Sequence, residues 1–162
     1  MIYCGHLLYM PILAVNKRAK FDYEILDSYE AGIVLRGNEV KSVKTGHISL
    51  KGSYVTVKQG GKQLPEVLLI NANIPLYKHA SNKEGYDPTR PRKLLLHKKE
   101  IERLIGKKQE QGLTLVPLKI YTKHSLVKVE FGVGKGKKKY DKREVIKKRE
   151  EDRNIRRTLK TK

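Results

Sequence analysis

Two alternating runs, LTLVPLKIYTK and SLVKVEFGVG, follow one another at residues 113–134 and constrain the fold more than any other feature. Apolar and polar residues exchange at nearly every second position, which is typical of a strand with one buried face. The runs meet near His124, so together they predict two antiparallel strands joined by a short turn.

Two other segments also favour strands. FDYEILDSYEAGIVL at 21–35 alternates and predicts a strand that ends in a turn. SYVTVKQGGKQLPEVLLINANI at 53–74 predicts a second hairpin, with Gln-Gly-Gly-Lys as its turn. Pro65 restricts its strand to a sheet edge or a strand end, because proline has no amide hydrogen to donate.

Helices are predicted between these strands. GNEVKSVKTGHISL at 37–50 indicates a short helix. KLLLHKKEIERLIGKKQEQG at 93–112 has apolar residues near helical spacing and predicts a longer helix that stops at Gly112. The intervening segment 77–92 is rich in turn residues and predicts a loop.

These elements predict a mainly β chain with five or six short strands. Many short antiparallel strands close naturally into a small barrel, and the OB-fold is one such barrel that carries RNA-binding surfaces. We therefore expect an OB-fold-like closed antiparallel barrel over residues 14–134, with two or three inserted helices. Residues 1–13 are expected to be an extension and residues 135–162 a basic C-terminal tail.

The first residues, MIYCGHLLYMPILAV, are apolar but lack the basic leader and cleavage site of a signal peptide. Met10 precedes PILAVNKRAKFDYEIL, so residues 1–9 are interpreted as an over-long start or a short unstructured extension. The alternative is an edge segment that packs Leu7, Leu8 and Tyr9 against the barrel.

The chain is strongly basic, with 36 Lys and Arg against 17 Asp and Glu and a net charge of +19. Such a balance points to nucleic acid or an anionic membrane surface as the partner. The tail holds 14 of the basic and 5 of the acidic residues, a net charge of +9 in 28 residues. Because the remaining part carries +10, both the barrel and the tail are expected to contact RNA.

Other classes of site find little support. Cys4 is the single cysteine, so no internal disulfide can form, which fits a reducing cytosol. The five histidines lack metal-ligand spacing, and no run reaches the roughly 18 apolar residues of a membrane span. No catalytic constellation can be assembled. We expect a cytoplasmic protein without catalytic activity, metal or cofactor.

GVGKGKKK at 132–139 is similar to a phosphate-binding loop, but no Ser or Thr follows a Gly-Lys pair. Glycines allow close approach to a phosphate chain and lysines neutralise it, so contact with RNA is favoured over a solvated linker. The tail that follows is expected to be disordered when free. Asp141 is a candidate N-cap, and basic residues within 142–160 share one side of an ideal helix, so this segment is expected to become helical on its partner.

Three other motifs allow more than one interpretation. Asp27, Glu39 and Lys41 could belong to a metal-dependent nuclease, although NEVKS is first of all an amphipathic helix. Arg90, Arg92 and Lys93 suit phosphates or unpaired bases, and a solvated basic loop accounts for them equally well. NKRAKFDY, which contains Lys17 and Arg18, interleaves basic and aromatic residues as RNA-binding segments do.

The segments EAGIVLRGNEVKS, RKLLLH and GKGKKKYDKR, in this order, resemble the SsrA-binding protein (small protein B) family. Further matches from NKRAKFDYEI to the basic tail extend the resemblance over about residues 14–157. It implies an OB-type barrel that binds the tRNA-like half of transfer-messenger RNA (SsrA RNA). It also implies delivery, with alanyl-charged RNA and elongation factor Tu, to stalled ribosomes. Alanyl-tRNA synthetase is then an indirect partner.

Carried over by position, the resemblance puts Glu30, Leu95 and Lys128 on the RNA-facing body. It implies that 135–143 contacts the ribosome, in the small-subunit decoding region and mRNA path, with Tyr140 suited to stacking on an rRNA base. A ribosomal or general rRNA-binding OB-fold protein is the alternative. The motifs and the resemblance together assign RNA contacts to the following residues: Lys17, Arg18, Glu30, Lys41, Arg92, Lys93, Leu95, Lys128, Lys135, Lys137, Lys138, Lys139, Tyr140, Asp141, Lys142 and Arg143.

Overall fold

The structure is a computed structural model, which describes residues 11–60, 63–80, 85–109, 112–138, 140, 150–151, 153–155 and 157–158. Its strands are β1 Ile12–Val15, β2 Tyr23–Ile33, β3 Tyr54–Gly60, β4 Gln63–Ile70, β5 Arg92–Leu95, β6 Leu113–Lys123 and β7 Leu126–Gly136. Its helices are α1 Ala19–Asp22, α2 Gly37–Lys44 and α3 Lys98–Gln109.

The strands form one antiparallel sheet in the order β1-β6-β3-β4-β5-β2-β7, and β7 pairs again with β6. Strands β6, β3, β4, β5, β2 and β7 therefore close into a ring, and β1 adds to β6 outside it. The predicted closed barrel is confirmed. In the described residues the structure has seven strands rather than five or six, and its three helices agree with the predicted two or three.

The β6–β7 hairpin is long and tightly turned. The two strands pair from Leu113 opposite Lys135 to Lys123 opposite Leu126. His124 and Ser125 have φ angles of 49° and 65°, as a two-residue turn of type I′ requires. The alternation predicted from the sequence holds in β7, where Val127, Val129, Phe131 and Val133 point into the core.

Strand β5 differs from the prediction, which placed residues 93–96 in a helix. Arg92–Leu95 pair with β2 on one side and with β4 on the other, and burial alternates along the four residues. Helix α3 begins only at Lys98. A short run of leucines fits either structure, so its two neighbouring strands decide the conformation.

The predicted domain boundaries fall inside strands. Strand β1 starts at Ile12, two residues before the expected start of the barrel, and β7 continues to Gly136, beyond the expected end at 134. Residues 1–10 lie outside the described residues. The described tail residues, Tyr140, 150–151, 153–155 and 157–158, are helical, and disorder of the free tail stays a prediction.

Packing explains the first glycines of GVGKG. A Cβ at Gly132 would lie 2.7 Å from Cγ2 of Ile25 and 3.0 Å from the backbone oxygen of Asp27. A Cβ at Gly134 would lie 3.0 Å from Cβ of Tyr23. Both glycines are buried in β7, so the interpretation of them as a phosphate-approach loop is wrong.

We expect Gly132→Ala to lower the free energy of unfolding by about 1–3 kcal/mol, the usual cost of overpacking a core. The new methyl group meets a branched side chain and a backbone oxygen, neither of which can move freely. Gly136→Ala is the matched control, because no heavy atom lies within 4 Å of its Cβ position. Equal midpoints of denaturant unfolding for the two variants would contradict this explanation.

Candidate nucleic-acid interface

One row of residues crosses the outer face of four neighbouring strands. Gly32 of β2 lies opposite Leu95 of β5 and also opposite Lys128 of β7, and Lys128 lies opposite Tyr121 of β6. The Cβ position of Gly32 is 3.4 Å from Cβ of Leu95, so the leucine lies across the glycine. Leu95 is 54% exposed, although it is a large apolar side chain. The row therefore joins an exposed apolar surface to a cation.

The Glu30 carboxylate is held within a cluster beside this row. It accepts hydrogen bonds from the Lys128 ammonium and the Tyr121 hydroxyl, and Nζ of Lys123 lies 3.6 Å from its Oε1. The Lys128 hydrogen bond, followed by that of Tyr121, lowers the pKa of Glu30 to about 2. Burial and the bond to Glu30 raise the pKa of Tyr121. Glu30 is thus ionised at neutral pH and orients Lys128.

Arg92 lies inside the protein and does not form part of a surface. Its side chain is fully buried, with Nη2 2.9 Å from Oε1 of Glu39 and Nε donating to the same oxygen at 3.0 Å. Its Nη1 donates to the Ala72 carbonyl at 2.6 Å, and its Nη2 to the Pro88 carbonyl at 2.9 Å. We correct its assignment as an RNA contact, because every contact of its guanidinium is internal. Lys93, the next residue, is exposed and pairs with Glu66 at 2.7 Å.

Glu39 is also unsuited to the nuclease hypothesis. Burial alone would raise its pKa, but hydrogen bonds from the Arg90 side chain, the Arg36 backbone N–H and Arg92 lower it overall. Both carboxylate oxygens are occupied and fully buried. Asp27 forms an ion pair with Lys107. Across the part of the chain that the structure describes, no group of three His, Cys, Asp or Glu could hold a metal ion.

Lys17 and Arg18 border an open groove of about 770 Å³ between the β1–α1 segment and residues 48–54. Asn16 fixes this segment, since its side chain donates to the Pro117 carbonyl at 3.0 Å and accepts from the Arg18 N–H at 3.3 Å. Both basic side chains are exposed. They are therefore available to a partner.

The tail leaves the barrel beside α1. The Lys137 N–H donates to the Asp22 carbonyl and its Nζ to the Lys20 carbonyl, each at 2.9 Å. Lys135 is exposed at the end of β7, and Tyr140 is 70% exposed. The predicted contacts Lys139, Asp141, Lys142 and Arg143 lie outside the described residues.

The family model described as SmpB protein matches residues 13–161. The chain belongs to the SmpB family. The SsrA-binding protein of Thermosipho melanesiensis is 57% identical over 152 residues, which are 93% of this chain and 99% of the relative. The SsrA-binding protein of Oceanobacillus iheyensis is 51% identical over 149 residues, which are 92% of this chain and 93% of that protein.

A solved structure provides the same classification. A chain in the structure described as "tmRNA-SmpB: a journey to the center of the bacterial ribosome" is 47% identical and has a TM-score of 0.62. The match covers 78% of this chain and 85% of that chain. The OB-fold-like barrel and the resemblance inferred from the sequence are thereby confirmed. Within the described residues, no helix is long and apolar enough to cross a membrane.

The predicted SmpB-family residues divide into separate surfaces. Glu30, Leu95 and Lys128 lie together on the outer barrel face, whereas Lys17 and Arg18 lie beside the groove near the tail root. Lys93 shares the outer face of β5 with Leu95. Lys138 is exposed just beyond β7. Lys41 is exposed on α2, over the ring of Tyr77.

Sequence reasoning missed Tyr121 and Lys123 as members of the Glu30 cluster. The alternation in β6 indicates their position, because Tyr121 and Lys123 lie two and four residues after Lys119 and therefore share its face of the strand. Lys119 pairs with Glu130 across the hairpin at 2.8 Å. The register of the β6–β7 hairpin then places Tyr121 opposite Lys128.

Glu39→Gln should lower the free energy of unfolding by about 3 kcal/mol or more, because it leaves the buried Arg92 guanidinium without its counter-charge. Glu66→Gln is the matched control at the exposed Lys93 pair, and it should change stability little. Urea unfolding of the two variants measures the difference. Similar losses in both would mean that the buried cluster does not stabilise the fold.

Proposed function

We propose that this chain binds the tRNA-like domain of transfer-messenger RNA and delivers it to stalled ribosomes. There it takes part in trans-translation, which rescues the ribosome and tags the unfinished peptide. The relatives that carry the name SsrA-binding protein, and the neighbour from a tmRNA-SmpB ribosome structure, support this proposal. We propose a binding role, without catalysis, in the cytoplasm.

The observation that carries the proposal is the row formed by Leu95, Gly32 and Lys128 on the outer barrel face. The missing side chain of Gly32 gives a shallow surface, and Leu95 offers an apolar contact to a base or a sugar. Lys128 supplies a cation next to it for a phosphate. Apolar and cationic groups in one row suit a folded RNA whose backbone and exposed bases lie side by side.

Glu30 acts through Lys128 in this proposal. Its carboxylate already accepts hydrogen bonds from Lys128 and Tyr121, which favours a role in orienting the lysine over direct contact with a base. An approaching phosphate would compete with Glu30 for the ammonium. Contact is then made by an oriented lysine, at a smaller entropic cost than with a freely moving one.

A second surface would face the ribosome. Lys17, Arg18 and Lys138 are exposed near the tail root, where Lys137 bonds the chain to α1. The tail would enter the small-subunit decoding region, with Tyr140 stacking on an rRNA base and residues 142–160 forming a helix in the empty mRNA path. Elongation factor Tu and alanyl-tRNA synthetase would be linked to this chain indirectly, through the charged RNA.

The RNA bound in cells tests the proposal directly. The full chain is captured from its own cells and the bound RNA is sequenced. One dominant RNA with a tRNA-like end is expected. Capture of rRNA alone would support a general rRNA-binding protein and contradict the proposal.

Lys128→Ala should weaken binding of the tRNA-like domain about tenfold and reduce the slope of log affinity against log salt by about 1, as expected for one lost phosphate contact. Leu95→Ser should weaken binding without changing that slope, because it removes only an apolar contact. Filter binding at several salt concentrations measures both. Folded variants that bind with wild-type affinity would exclude this face as the RNA surface.

Deletion of residues 139–162 should leave binding of the tRNA-like domain nearly intact and abolish peptide tagging on stalled ribosomes. This truncation retains all of β7 and the bonds of Lys137 to α1, so the barrel should remain folded. A full-length variant with the charges of 142–160 permuted is the control for tail length. Normal tagging by the truncated chain would contradict the proposed role of the tail.

A further inference from the structure

Helix α2 and the segment that follows β4 form a basic patch with two aromatic rings. Nζ of Lys41 lies 5.8 Å from the ring centroid of Tyr77, within the range of a cation–π interaction. The rings of Tyr77 and His79 lie edge to face with centroids 5.5 Å apart. Two more lysines are exposed here: Lys44 at the end of α2, and Lys78 between Tyr77 and His79. We call these five residues the α2 patch.

The α2 patch is built on buried contacts, which makes it a defined surface. Ser42 Oγ donates to the Pro75 carbonyl at 2.6 Å and thereby ties α2 to the segment that carries Tyr77. Ile74 and Ala80, on either side of that segment, are buried. The rings are therefore presented by an anchored backbone and not by a free loop end.

The lysines of the α2 patch differ from five lysines of the barrel and α3 that are paired with carboxylates. Among the described residues, carboxylates within 4 Å are found for the barrel and α3 lysines Lys93, Lys107, Lys119, Lys123 and Lys128. In the same part of the chain, none is found for Lys41, Lys44 or Lys78. Glu39, the one acidic residue of α2, is buried against two arginines, and residues 71–80 contain no acid.

We propose that the α2 patch is a further RNA-contact site that takes an unpaired nucleotide. Its base lies against the Tyr77–His79 ring pair, and its flanking phosphates lie near Lys41, Lys44 and Lys78. Unpaired bases stack on aromatic side chains, and lysines without internal counter-charges neutralise phosphates without first breaking an ion pair. The site rests on the proposed function, and the nucleotide belongs either to the tRNA-like domain or to the small ribosomal subunit.

Tryptophan fluorescence gives a direct test, because the chain contains no tryptophan. Tyr77→Trp places a single indole in the α2 patch, and stacking on a base should quench its emission. The variant is titrated separately with the tRNA-like domain and with purified small subunits. Leu26→Trp is the matched control, since Leu26 is 54% exposed on the early part of β2, whereas α2 follows the other end of that strand.

Quenching of Tyr77→Trp by one of the two RNAs, with none for Leu26→Trp, supports the site and identifies the source of the nucleotide. Filter binding of the tRNA-like domain is measured in parallel. If that RNA binds but neither RNA quenches the indole, the α2 patch is not a site and the proposed function stands. If neither RNA binds to the protein, the proposed function itself fails.

Affinity variants separate stacking from charge. Tyr77→Leu should weaken binding of the quenching RNA about tenfold, in line with the loss of one stacked base, and Tyr77→Phe should restore it. Lys41→Ala should weaken binding and flatten its salt dependence. Lys58→Ala, an equal charge loss at an exposed position of β3, should do so less. Equal effects of Lys41→Ala and Lys58→Ala would mean that the α2 patch contributes only general basic charge, and would contradict the proposed site.

Discussion

Pairing of β6 on both of its edges is the interaction on which the rest of the structure depends. Along one edge β6 pairs with β7, and along the other it pairs with β3 at Leu115 and with β1 at residues 119–121. This double pairing closes the ring and removes the free edges that an open sheet would expose. It also sets the register that brings Lys128 opposite Tyr121. A slip of one residue would turn Lys128 into the core and Val129 out of it, so the candidate RNA face exists only in this closed register.

Most of the fold could be predicted from the alternation of apolar and polar residues, because the long strands have one buried face. The β6–β7 hairpin, the β3–β4 hairpin, β2 and α2 all followed from local pattern. Strand β5 did not, since four residues with two leucines carry too little pattern to exclude a helix. That error led directly to the wrong assignment of Arg92, because alternation in a strand turns Arg92 and Leu94 inward and leaves Lys93 and Leu95 outside.

The local sequence pattern also could not predict which charged side chains pair with one another. The net charge of +19 predicts an anionic partner, but it does not show which basic side chains are left to contact that partner. Glu39 is 51 and 53 residues from the arginines that it binds, and Glu30 is 98 residues from Lys128. Pairing of β2 with β7 brings Glu30 to Lys128, and the Glu39 pairs join α2 to β5 and the residues before it. Some of the basic charge of the barrel is thus matched internally, whereas no carboxylate lies within 4 Å of the lysines of α2 and of the segment after β4 among the described residues.

Strand β7 connects the two surfaces that the proposed function requires. Lys128 lies on the candidate RNA face, and Gly136 lies eight residues later at the root of the tail. At the usual rise of a strand this separation is about 26 Å. Strands β2 and β6 pair with β7 over nearly this whole distance, so it cannot bend easily. The glycines at 132 and 134 add to this stiffness, because they let Ile25 and Tyr23 pack directly onto the strand. The barrel would therefore hold the tRNA-like domain at a fixed distance from the root of the tail, which the bonds of Lys137 fix to α1.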